Sequence, residues 1–131
     1  MSEVKTNKLT GVSTAGSIVV TGEGNSTTTN LQQGLCKCWA DSNAGAAADD
    51  SFNLASTPDT GTGDYTFTIT NDMASANYSH PIVPADADGG GGLDISVTSK
   101  AAGSIRVGTI RDNSTKTDNA NVSVSIFGDL A

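Results

Sequence analysis

Large apolar side chains are scarce in this sequence: Val, Ile, Leu and Phe number 9, 7, 6 and 3 among 131 residues. That supply lies close to the level at which a chain with appreciable net charge stops being able to close a core. A single domain of this length that buries so little is marginal alone, so burial against identical neighbours is the expected remedy. Aromatics are scarcer still, with one Trp, two Tyr and three Phe, and there is one His. This disfavours the aromatic platforms and paired catalytic groups of a free carbohydrate-binding or polysaccharide-processing domain. Basic residues number 7 against 14 acidic ones, a net charge of −7. A positive face for nucleic acid or anionic lipid is therefore not expected. No apolar run approaches membrane-spanning length and no charged-then-apolar leader opens the chain, so neither classical export nor membrane insertion is expected. The two cysteines, Cys36 and Cys38, share one side of a strand and could join only through a strained loop. They are expected to be reduced, small and buried, as in a protein assembled in the cytoplasm.

Ser, Thr and Asn are abundant, 42 residues together, and Gly adds 15. Thr and Val favour a pleated backbone while Gly, Asn and Asp favour turns, so many short strands are expected. Residues 1–30 hold only Val4, Leu9, Val12 and the run Ile18-Val19-Val20 before a polar stretch from Gly22 to Asn30. Such a segment cannot build a core. It is expected to be an extended arm for attachment or oligomerisation, ordered only against its own oligomer partners or a docking site. Ile18, Val19 and Val20 are the expected particle-attachment residues, adding a strand to an exposed sheet edge.

From Leu31 onward apolar residues recur with period two, the pattern of strands with one buried face. Tyr65, Phe67 and Ile69 alternate with Thr66, Thr68 and Thr70 in the cleanest such run. Val122, Val124 and Ile126 repeat it, as do Leu93, Ile95 and Val97, and Leu35, Lys37 and Trp39 alternate with Cys36, Cys38 and Ala40. Phe52 and Leu54 flank Asn53, and Ile105 with Val107, and Tyr78 leading to Ile82-Val83, make weaker cases. Turn chemistry falls at Asp41–Gly45, Asp59–Asp64, Asp86–Gly92 and Arg111–Ser114, and Ala44–Asp50 could form a helical turn. Six to eight short strands with this punctuation predict an antiparallel β-sandwich, or jelly-roll-like domain, over residues 31–131.

Residue types that carry chemistry are present without the patterns that chemistry needs. His80 would have to serve any Ser-His-Asp triad, but no nucleophile-elbow pattern surrounds any Ser. Asp86-Ala87-Asp88, four glycines, Leu93 and Asp94 place three carboxylates around a flexible loop, without the spacing or closing Glu of a calcium-binding loop. Gly61-Thr62-Gly63 is followed by Asp64, whose charge repels phosphate. The expectation is a non-enzymatic chain with no catalytic residue, cofactor or metal.

A likeness appears in three linked segments. Gly34-Leu35-Cys36-Lys37-Cys38-Trp39 resembles the G-L-x-K-x-W segment of tail-fibre-like proteins of tailed phages, particularly marine ones. Asp50-Ser51-Phe52-Asn53-Leu54 and Gly61-Thr62-Gly63-Asp64-Tyr65-Thr66 resemble the segments that follow there, in the same order and spacing, and Ser2 to Leu9 is similar to their openings. The resemblance covers about half the chain. It implies a virion structural protein with a β-rich homotrimeric domain and no catalytic residues. Trp39 and Lys37 are then candidates for the subunit interface, where aromatics are enriched, although Trp39 could equally be a sandwich's core tryptophan. The expected partners are further copies of the chain, other virion proteins of tail, portal-proximal region or capsid, and a host surface receptor. The expected location is the virion, assembled in the bacterial cytoplasm, as a short tail fibre, spike or adhesin module. A capsid decoration protein and a free carbohydrate-binding β-domain are the alternatives.

Overall fold

The computed structural model describes residues 3–13, 17–43, 47–57, 59–85, 93–111 and 114–131. It is all-β, with 54% of residues in strands and 4% in helix. The chain forms two compact units, Met1–Leu35 and Cys36–Ala131.

In the first unit residues 3–13 adopt neither helix nor strand. Strands β1 (Val19–Thr21) and β2 (Thr28–Asn30) pair antiparallel, with Val20 opposite Thr29. Gly22 and Asn25 supply a turn that composition alone did not reveal. The Gly22 N–H donates to the Thr27 carbonyl at 2.8 Å, the Asn25 N–H donates to the Gly22 carbonyl at 2.9 Å, and Asn25 takes φ 56°. Asn is one of the few residues that accept this left-handed backbone at low cost. Leu31 does not begin a strand: Leu31–Gly34 is a single helical turn, α1, because the Asn30 side-chain oxygen caps it by accepting from the Gln33 N–H at 3.1 Å.

The second unit is a sandwich of two antiparallel sheets. One runs β4 (Ala48–Phe52), β3 (Cys36–Asn43), β11 (Asn121–Phe127), β8 (Ile82–Ala85). The other runs β5 (Leu54–Ser56), β7 (Asp64–Ile69), β10 (Ser104–Arg111), β9 (Leu93–Ala101), with β6 (Asp59–Gly61) also paired to β7. Tyr65, Phe67 and Ile69 from β7, with Ile105 and Val107 from β10, are buried and face Cys38 and Ala40 of β3 and Val122, Val124 and Ile126 of β11. The small residues of β3 leave room for the large rings of β7, so the two layers interdigitate. Each large side chain buried this way contributes roughly 1.5–3 kcal/mol. Two buried hydroxyls are satisfied within the core: Ser42 donates to the Val122 carbonyl at 2.7 Å and Thr109 to the Thr117 carbonyl at 2.6 Å.

Several local expectations give way to pairing. Asp41–Asn43 is strand rather than turn, because β11 pairs with β3 as far as Asn43. Ala48–Asp50 is strand rather than helix, since β3 offers it a partner. Phe52 and Leu54 belong to different sheets, the chain crossing between them at Asn53. The Asp86–Gly92 stretch lies outside the described residues.

Candidate functional site

Two of the segments singled out in the sequence, residues 50–54 and 61–66, fall at structural joints of the sandwich. At the first, Asn53 takes φ 57° where the chain leaves β4 for β5. Its side-chain oxygen accepts from the Asn71 N–H at 2.9 Å, and its amide donates to the Lys37 carbonyl at 2.9 Å and the Asn71 carbonyl at 3.2 Å. One side chain thus ties β3 to the loop that follows β7.

The second joint is built on Gly61–Tyr65. Gly63 has φ 67°, and a Cβ there would stand 2.6 Å from the Thr109 carbonyl oxygen and 2.8 Å from the Thr117 nitrogen. Only glycine fits. Its N–H donates to the Asp118 carboxylate at 2.6 Å and its carbonyl accepts from the Thr109 N–H at 2.7 Å. The Tyr65 ring fills the core while its hydroxyl accepts from the buried Asn119 N–H at 2.8 Å. Beside them the Asp64 carboxylate, its side chain 10% exposed, binds Lys116 and lies 3.3 Å from the Arg106 guanidinium. The Lys116 hydrogen bond, helped by the charges of Lys116 and Arg106, holds Asp64 below the usual carboxylate range against the opposing effect of burial. These groups close the sandwich end over the 115–119 loop.

The outer face of the β4-β3-β11-β8 sheet carries the exposed chemistry. Trp39 of β3 stands opposite Phe52 of β4, and Asp41 opposite Asp50. Trp39 is half-buried and Phe52 exposed. Asp41 accepts from Ser123 at 2.8 Å and from the Asn121 amide at 2.5 Å, and these bonds hold its carboxyl below its ordinary value. Lys37 is buried despite its charge, and burial pushes its ammonium below its ordinary value against the pull of Asp129 and Cys36. Trp39 is therefore a surface aromatic of this sheet, not the tryptophan of the core.

The remaining residues singled out in the sequence are dispersed. Cys38 is buried in the core and its thiol is pushed up to about 11 by burial and by Cys36, whose own thiol is partly buried. His80 stands edge-on to Tyr78, ring centroids 6.2 Å apart. Tyr78 faces the Lys100 ammonium 4.7 Å from its ring centre and donates its hydroxyl to the Ser104 or Ala101 carbonyl, a cluster no sequence pattern announced. Among the described residues no group of three or more His, Cys, Asp or Glu is placed to hold a metal, and no helix is long and apolar enough to cross a membrane. Ile18 is half-buried just before β1, and Val19 and Val20 are exposed on the strand. Comparison with protein-family models, curated proteins and solved structures finds no match to this chain.

Proposed function

We propose that this chain is a structural protein of a bacteriophage particle, a short tail fibre or spike module that acts as a homotrimer and carries no enzymatic activity. One observation supports the reading above others: the residues that resemble tail-fibre-like proteins, Asn53, Gly63, Asp64 and Tyr65, are committed to holding the sandwich together. Shared residues of this kind mark a shared scaffold rather than a reaction. The division of labour follows from the two units. The N-terminal unit, exposing Val19 and Val20 on a two-stranded ribbon too small to be stable alone, anchors the module to other virion proteins. The acidic sandwich faces outward, toward solvent and a host receptor.

The experiment is mass spectrometry of virions purified from a lytic culture expressing the chain, with antibody labelling in electron micrographs. The expected result is co-purification at about tens of copies or fewer, with label on the tail. Label spread over capsid faces at hundreds of copies would instead make it a decoration protein, and absence from purified virions would overturn the reading.

A further inference from the structure

Residues 3–13 and one sheet edge are complementary in ways the sandwich itself does not use. We propose that the segment Val4–Thr10 of one copy adds as a strand to the β4 edge of a second copy, linking the chains by strand donation.

Three observations meet here. First, β4 ends its sheet: β3 pairs one side of it, and among the described residues nothing pairs the other. The two sheets converge at their opposite margin, where β8 and β9 approach one another, which leaves β4 as the accessible edge of its sheet. An unpaired edge of five residues is a template for another strand. Second, residues 3–13 have no strand partner, yet Val4 is 89% exposed, Leu9 62% and Val12 99%. Phe52, at the end of β4, is 54% exposed and offers an apolar contact that an added strand would cover. Third, the charges match. The N-terminal unit holds Lys5 and Lys8 against Glu3 and Glu23 and is neutral, so the whole net charge of −7 belongs to Cys36–Ala131. Sandwich-to-sandwich contact is opposed by that charge, whereas a segment bearing two lysines is attracted to an edge bearing Asp49 and Asp50. Both aspartates are exposed. Charges on an edge strand commonly guard it against pairing. An acidic guard repels acidic strands and attracts a basic one.

Backbone hydrogen bonds would supply affinity and the lysine–aspartate pairs would set which segment binds. The inference rests on the homo-oligomeric part of the proposed function and not on its place in a virion, so the purified protein tests it whatever the particle experiment shows.

The test compares the full chain with K5E/K8E, D49K/D50K and the four-fold variant carrying both, by sedimentation and light scattering at low salt. Each single-sided reversal should weaken self-association by roughly tenfold, and the four-fold variant should recover it, because the attraction is restored with opposite sign. Lys5 and Lys8 lie outside every strand and helix, so their reversal leaves the sandwich intact. Amide hydrogen exchange supplies the second measurement. Residues 4–10 and 48–52 should gain protection as concentration rises, and lose it in K5E/K8E. A monomeric wild-type chain, a reversal without effect, a four-fold variant no better than its parents, or protection independent of concentration would each overturn the proposal.

Discussion

The phenolic hydroxyl of Tyr65 accepts a hydrogen bond from the backbone N–H of Asn119 at 2.8 Å, joining the start of β7 to the loop that leads into β11. The same side chain is a large core element and a loop tether, so its two roles can be separated by substitution.

Tyr65→Phe keeps the ring and strands the Asn119 N–H, which is buried. A loss of about 1–3 kcal/mol is expected, the cost of an unsatisfied buried donor. Tyr65→Ala should cost about 3–5 kcal/mol, because a cavity is added. Urea denaturation of the two variants measures the difference, and a Tyr65→Phe variant as stable as the parent would show that the tether contributes nothing.

The two faces of β7 should respond unequally. Phe67 is fully buried, so Phe67→Ala is expected to cost about 3–5 kcal/mol, whereas Thr66→Ala and Thr68→Ala, on the outer face, should stay within about 1 kcal/mol. Thermal unfolding reads this directly. Comparable losses on both faces would place a further surface against the threonines.

At Gly63 a methyl group meets backbone rather than a movable side chain. Gly63→Ala combines a left-handed φ with a contact of 2.6 Å to the Thr109 carbonyl, and should destabilise by more than about 1–2 kcal/mol. Circular dichroism during heating is the measurement.

Acid should open the sandwich end first. Asp64 releases its proton more readily in the folded chain than in the unfolded one, so its contribution is fully present above the unfolded carboxylate value of about 4. It is lost as pH falls through the lower folded value. Asp64→Asn should therefore be less stable than the parent at neutral pH and should lose less further stability between about pH 4 and pH 2. Denaturation midpoints across that range check the sign.

Cys38 should be inert while the chain is folded. Its thiol is pushed up to about 11, and it is buried. In Cys36→Ser, which leaves Cys38 alone, a thiol reagent near pH 8 should react only as denaturant unfolds the sandwich, in parallel with the loss of near-ultraviolet dichroism.

Alternation along the chain was sufficient to specify the all-β class and the inward faces of the strongest strands. Tyr65, Phe67 and Ile69, and Val122, Val124 and Ile126, are buried as their spacing requires, because period two is a local property of the pleated backbone. Composition marked residues 1–30 as poor in large apolar side chains, whereas the pairing of β1 with β2 inside that segment was not legible in it. Sheet membership was decided elsewhere. Whether Phe52 and Leu54 share a strand, whether Asp41 turns or pairs, and whether Ala48 is helical all depend on which distant strand arrives beside them. No local preference carries that information. The joints at Asn53 and Gly63 were visible only as turn-prone residues. What makes them specific is the set of backbone groups, Lys37, Asn71, Thr109 and Thr117, that tertiary contact brings within hydrogen-bond or van der Waals reach. The sequence alone determined what could be buried, since burial follows from side-chain chemistry and spacing. Only the tertiary structure determined which polar groups would be satisfied by one another, since those partners lie tens of residues apart and meet only when the two sheets close.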